Sequence, residues 1–396
     1  MKFRTCILLF SSLTVISCSS PAKKTVQAEN RGATTLDSLY KYFGVANTPL
    51  LREIYPFDEE HKVTYLADQE QIQLPHQYSY LWPYSGTFSA VNALYESTKD
   101  SFYLGLLEKK VLPGLNEYFD QKRNPGAYAS YIVSAPESDR FYDDNIWIGI
   151  DYTDLFEMTH NPEYLHKAKQ IWDFIESGTD DQLGGGIYWC EQKKASKNTC
   201  SNAPGSVFAL KLFLATNDSS FFYKGKELYD WTVKNLRDTT DFLYFDNIRL
   251  DGKVDPTKYA YNSGQMIQAG ALLHKITKEE RYLEEARQTA NGASEYFFYP
   301  KNEYDGINFR LLKEGDIWFT AVMMRGFIEL NAIDHNPEYL SDFSHSLDYA
   351  WKYIREENGL YNGRFNPEKK GEKKNLLAQA AMIEMFGRLA SVQTNK

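Results

Sequence analysis

The chain repeats itself about every sixty residues, and that period restricts the fold more than any other feature. A turn signal, an aromatic residue and an amphipathic helix recur in order. They occur at Asp100-Ser101-Phe102-Tyr103, Asn161-Pro162-Glu163-Tyr164, Asp218-Ser219-Ser220-Phe221, Glu279-Glu280-Arg281-Tyr282 and Asn336-Pro337-Glu338-Tyr339. Aligning Tyr103, Tyr164, Tyr223, Tyr282 and Tyr339 gives spacings of 61, 59, 59 and 57 residues. Each unit is one helical hairpin plus loops.

Within a unit, the helix before the turn is more apolar than the helix after it. These apolar helices are expected to start near Tyr84, Asp143, Asn202, Asn262, Asp316 and Asn375. The helices after the turns carry one charged face, which belongs on an outer layer. Five outer helices follow the turns, and residues 36–54 are expected to supply a sixth by packing beside the last inner helix. The expectation is therefore all-α: an (α/α)6 toroid of six inner and six outer helices. No strand alternates with a helix in the manner of an α/β barrel. An open superhelix of helical pairs is the alternative, and the N-terminal helix that closes the ring favours the toroid.

The first residues read as a targeting segment. Lys2 and Arg4 precede a short apolar run, and Val15-Ile16-Ser17-Cys18 is similar to a bacterial lipoprotein processing site with Cys18 lipidated. Residues 1–17 are then a signal peptide, 18–33 a flexible tether and 34–396 a single catalytic domain. The expected location is the bacterial outer membrane, on its periplasmic or surface face. The formal net charge is −9, and losing Lys2 and Arg4 makes it −11. No basic stripe is present to neutralise phosphates, which argues against nucleic acid. Cys190 and Cys200 flank a polar loop in an oxidising compartment, so a disulfide between them is expected. The seven histidines show no ligand spacing, so neither a metal nor a cofactor is expected.

In a toroid the N-termini of the inner helices meet at one end, where long loops and helix dipoles gather. Asp143 and Asp144 fall there, together with Trp82, Tyr84, Asn202, Tyr261, Asn262 and Trp318; Asp246 precedes the fourth inner helix. Carboxylates, amides and flat aromatic faces suit a carbohydrate. Adjacent helical residues lie about 3.8 Å apart at Cα and project roughly 100° apart. Their carboxyl groups fit the ~5–5.5 Å separation of a retaining glycosidase. Spacing does not say which of the two is the acid.

Phe141-Tyr142-Asp143-Asp144-Asn145-Ile146-Trp147 resembles the signature of glycoside hydrolase family 76, the endo-α-1,6-mannanases. The stretches 197–202, 245–248, 258–264 and 313–327 are similar to further segments of that family, and the resemblance spans about 80–390. It implies Asp143 as nucleophile, Asp144 as acid/base and α-mannan or manno-oligosaccharides as substrate. Ser263 departs from the family's usual Gln. Two other readings stay beside this one: another (α/α)6 sugar enzyme, or a surface glycan-binding lipoprotein without catalysis.

Overall fold

The computed structural model describes residues 21–68 and 70–394. Twelve helices alternate around a ring. The outer ones are α1 (Pro21–Phe43), α3 (101–116), α5 (Pro162–Ser177), α7 (Ser219–Leu236), α9 (Glu280–Tyr296) and α11 (338–354). The inner ones are α2 (Leu81–Thr98), α4 (Tyr142–Thr159), α6 (Thr199–Thr216), α8 (Ala260–Thr277), α10 (Ile317–Asp334) and α12 (Leu376–Thr394). Every inner helix touches the next, and α12 returns to α2, so the ring is closed. This is the (α/α)6 toroid.

Sequence explains the two layers. Inner helices are buried on nearly all sides, whereas α5, α7 and α9 bury one stripe and leave charge on the other. Glycine sets how closely the inner helices approach. A Cβ on Gly264 would sit 2.3 Å from Met323 Cα, and one on Gly326 would sit 2.0 Å from Gly264 O. Helices α8 and α10 therefore cross backbone against backbone.

The first five inner helices each have 18 residues and end on a left-handed residue: Lys99, His160, Asn217, Lys278 or His335. Asp100, Asn161 and Asp218 then cap the following outer helices through their side chains. Four residues after the left-handed position comes the aromatic that plugs the hairpin. In the third unit this is Phe221, 9% exposed, rather than Tyr223, which is 66% exposed. The alignment on Tyr223 was two residues out.

The N-terminal expectations need correction. The sixth outer helix ends at Phe43 instead of running through 36–54, because Gly44 and the turn before Pro49 follow it. Residues 21–33 of the expected tether are the first half of this helix. Ala28, Leu36, Leu39 and Phe43 supply a helical stripe, and a Cβ on Gly32 would meet Leu94 at 2.7 Å. Small residues that read as flexible are what lets α1 lie close to α12 and α2. Cys18 and the signal peptide lie outside the described residues.

Candidate active site

The inner helices share one register at their first turns. The second residue of each of α2, α4, α6, α8 and α10 is Trp82, Asp143, Cys200, Tyr261 and Trp318, and all five line a cleft of about 580 Å³. Asp144 and Phe319, third in their helices, line it too. Two residues further along a helix is roughly 200° round its axis, so the fourth positions face away from the cleft.

That rule corrects Tyr84 and Asn202. Tyr84 is buried between α2 and α3, with its hydroxyl between the carbonyl oxygens of Pro49 (3.1 Å) and Val111 (3.2 Å), one of which takes its proton. Asn202 accepts from Ile187 N (2.7 Å) and donates to Ile187 O (3.0 Å) and Asn198 O (2.8 Å). Asn145 and Gln379 clasp Tyr128 and Tyr361 in the same way. Ser263 fills the equivalent position and accepts from Tyr244 N (3.2 Å). Its departure from the family's Gln therefore lies in this clasp, away from the cleft wall.

The aspartates are not helix caps. Phe141 is the N-cap, and Asp143 and Asp144 are second and third in α4. Asp143 is 9% exposed and accepts from Trp189 Nε1 at 3.2 Å. Burial pushes its carboxyl up to about 7, while the Cys200 thiol, the backbone N–H of Asp144, the Trp189 indole and its own N–H pull it down. Asp144 has no such donors. Burial, and then the charge of Asp143, hold it well above the usual carboxylate range. The donors around Asp143 favour its anion, and Asp144, which lacks them and faces that charge, is the member of the pair more strongly driven to stay neutral.

Aromatic rings build the floor and one wall. Trp318 makes edge contacts with Trp82 (5.3 Å, 81°) and Trp147 (5.2 Å, 90°), and Tyr261 stacks on Phe319 at 4.1 Å and 10°. The opposite wall is a three-stranded antiparallel sheet of Ser196–Asn198, Phe245–Arg249 and Val254–Lys258. It brings Asn198 opposite Asn247 and places Asp246 in the cleft. Burial raises Asp246, and Asn247 and Asn262 steady its anion. Asn262 itself is fully buried behind the wall and does not line the cleft.

Cys200 and Phe319, on inner helices, were not foreseen as cleft residues, and further ones missed in the sequence come from loops. Trp189 ends the glycine-rich loop before α6, and Thr64 and Tyr65 belong to the segment between α1 and α2, which has no counterpart in the repeat. Asp316 caps α10 by accepting from Trp318 N (2.8 Å) and Phe319 N (3.4 Å), and it also lines the cleft. The expected disulfide is absent: Cys190 and Cys200 are both free and buried. Cys200 points with the other second residues towards Asp143, whereas Cys190 packs with Phe141 and Tyr80 under the neighbouring loops. No Lys, Arg or His lines the cleft among the described residues. A larger surface groove of about 870 Å³, near Asn47, Phe102 and Pro113, holds no comparable set of carboxylates.

The family model of glycosyl hydrolase family 76 matches residues 57–386. A family 76 glycoside hydrolase (mannosidase) of Bacteroides thetaiotaomicron VPI-5482 superposes with a TM-score of 0.84 at 31% identity, covering 93% of this chain and 99% of that one. A GH76 α-mannanase of Bacteroides thetaiotaomicron gives 0.81 at 26% identity, covering 95% and 99%. An inactive α-1,6-mannanase variant of Salegentibacter sp. HEL1_6, with two consecutive aspartates replaced by asparagine and in complex with α-1,6-mannotriose, gives 0.72 at 23% identity, covering 92% and 99%. At that identity the likeness concerns the fold alone. No match is found among curated proteins.

Proposed function

Since the chain belongs to glycosyl hydrolase family 76 and is a glycoside hydrolase, we propose that it cleaves α-1,6-mannosidic linkages in mannan backbones with retention of configuration. The observation that carries this reading is the unequal environment of two adjacent aspartates in an aromatic cleft. Asp143, steadied by N–H and thiol donors, attacks the anomeric carbon. Asp144 gives its proton to the departing glycosidic oxygen, so the first step leaves a mannosyl ester on Asp143 and a free hydroxyl on the leaving chain. Asp144, now ionised, takes a proton from water as the water attacks the same carbon and releases Asp143.

The cleft chemistry supports a neutral sugar. Four aspartates and no cation line it, which disfavours a uronide carboxylate. No histidine is placed for the base of an epimerase. Membership of family 76 and the likeness at 31% identity to a mannosidase support the choice of a mannan. A lipid anchor at Cys18 would hold such an enzyme at the outer membrane, where polymer is met before uptake.

The test uses chain lacking residues 1–20 with unbranched α-1,6-mannan. A ladder of manno-oligosaccharides carrying an initial α-configured reducing end is expected. Asp143→Asn and Asp144→Asn should each lower the rate by at least about 100-fold. A β-configured first product would rule out double displacement. Binding of mannan without turnover by the wild type would leave only the binding role.

A further inference from the structure

Between α5 and α6 the chain forms a loop wrapped around the end of one lysine side chain. Leu183, Gly184, Gly185 and Gly186 all have positive φ, at 58°, 74°, 112° and 83°. Three of the four are glycine, which takes that conformation without strain. The path turns the carbonyl oxygens of Asp180, Gln182 and Gly185 towards one point, and the Lys197 ammonium occupies it. It donates to Gly185 O at 2.6 Å, Asp180 Oδ1 at 2.7 Å and Gln182 O at 2.8 Å, with Asp180 O at 3.2 Å. Lys197 lies in the strand Ser196–Asn198 and is wholly buried. Three short bonds match the three protons of an ammonium, whereas a neutral amine would turn a lone pair on one of the oxygens. Burial draws Lys197 below the ordinary lysine range, and Asp180 opposes that. Without the cation, the loop's inward carbonyl oxygens would lose their donor and face one another.

The loop runs directly to the aspartate pair. Tyr188 lays its ring 4.7 Å from the Lys197 ammonium, and its hydroxyl donates to Asp180 Oδ2 at 2.7 Å. Trp189 comes next. Its N–H donates to Ser196 O at 3.3 Å, and its carbonyl accepts from Tyr142 N at 2.9 Å, one residue before Asp143. The Trp189 indole then donates to Asp143 Oδ2 at 3.2 Å. We propose that Lys197 is a positioning residue, an internal cation that sets the path of this loop and through it holds the Trp189 indole on Asp143. Lys197 does not line the cleft, so it does this without touching substrate. The inference rests on Asp143 being the nucleophile of a retaining glycosidase.

The charged groups around the ammonium are Asp180, Asp181 and Lys194. Asp143 has Asp144 beside it, the Cys200 thiol and the Tyr261 phenol on neighbouring inner helices, and Asp246 and Asp316 along the cleft. All of these remain when Lys197 is replaced. A change at Asp143 then comes through the indole or from the lost charge itself, and a double variant separates the two.

Lys197→Met keeps the length of the side chain and removes the charge. A role in folding alone would lower the unfolding temperature and leave the pH profile in place. Positioning predicts that the acidic limb of kcat/KM on α-1,6-mannotetraose moves up by about half a pH unit or more, because the Asp143 anion loses a donor. Trp189→Phe should give the same shift, and Lys197→Met added to it should give no further one. A direct effect of the lost charge would persist in that double variant. Asp180→Ala strips one oxygen from the ammonium at a side chain that is 42% exposed. If Lys197→Met does not fold, this variant decides, with the same shift in smaller measure and none on top of Trp189→Phe. A limb unmoved by the deciding variant or by Trp189→Phe, or a shift that persists in the double variant, would overturn the proposal. Asp143→Asn separates the two levels. Where it abolishes turnover, an unmoved limb counts against Lys197 alone. Turnover that survives Asp143→Asn removes the nucleophile, and the positioning role falls with it.

Discussion

Asp143 sits among aromatic rings, and burial there works against the ionised form that a nucleophile requires. Four donors offset that burial, and the first of them is a thiol. Asp143 Oδ2 has the Trp189 indole at 3.2 Å, while Oδ1 is buried without a hydrogen-bond partner. The Cys200 thiol stands beside this carboxyl and opposes the effect of burial. Removing the thiol in Cys200→Ala should raise Asp143 further, so the acidic limb of the kcat/KM profile moves up by about half to one pH unit. Cys200→Ser, which restores a hydroxyl donor, should return it most of the way. An acidic limb indifferent to both changes would remove Cys200 from the site. The sequence held half of this story. Asp143 and Asp144 were legible because two carboxylates open an apolar helix. Cys200 was not, since a cysteine near a second cysteine in an exported chain reads as a disulfide. Only the shared register of the inner helices turns it towards the nucleophile.

Helix starts explain which neighbours of the pair were misread. An asparagine at the start of an inner helix is chemically as good a sugar ligand as a loop clasp, and composition does not separate the two. Register does. The second residues Trp82, Asp143, Cys200, Tyr261 and Trp318 face the cleft, and the fourth residues Asn145, Asn202, Ser263 and Gln379 face back and hold the incoming loop. Asn202 spends both ends of its amide on the backbone of Ile187 and Asn198. Asn202→Ala would leave buried peptide groups unpaired and should cost about 2–4 kcal/mol of stability. KM for manno-oligosaccharides on the folded fraction should stay within about twofold, because the clasp does not touch substrate. A KM rise with unchanged unfolding temperature would reinstate Asn202 as a ligand. The residues between α1 and α2 escaped notice for a different reason. Periodicity speaks only of what repeats, and Glu53, Thr64 and Tyr65 belong to a segment used once.

Closing twelve helices into a ring creates two buried polar ends with opposite pH behaviour. At the catalytic end Asp143 and Glu53 are pushed up to about 7 by burial. A carboxyl raised in the folded state adds stability that is present below its unfolded value, near 4, and is lost as pH climbs towards 7. At the other end Arg325 and Arg388 both bind Glu384, with Arg325 Nε at 2.7 Å and Arg388 Nε at 2.6 Å, and this draws Glu384 down to about 2. A lowered carboxyl adds stability that is present above its unfolded value, near 4.5, and is lost as pH falls towards 2. The two windows meet between pH 4 and 5. Thermal unfolding should therefore peak on the acid side of neutrality, falling both towards pH 8 and below pH 4. Variants separate the slopes. Asp143→Asn removes one raised carboxyl, so its unfolding temperature should exceed that of the wild type at pH 8 and match it near pH 4. A catalytic group held against its preferred ionisation costs the fold stability in this way. Glu384→Gln leaves the buried guanidinium of Arg325 without its ion-pair partner and should cost about 3–5 kcal/mol at neutral pH. In that variant the loss between pH 4.5 and 2 should be shallower, because the group that titrates there is gone. An unfolding temperature that rises monotonically from pH 4 to 8, unaltered by Asp143→Asn, would show that burial does not hold the carboxyls of the catalytic end in their raised state.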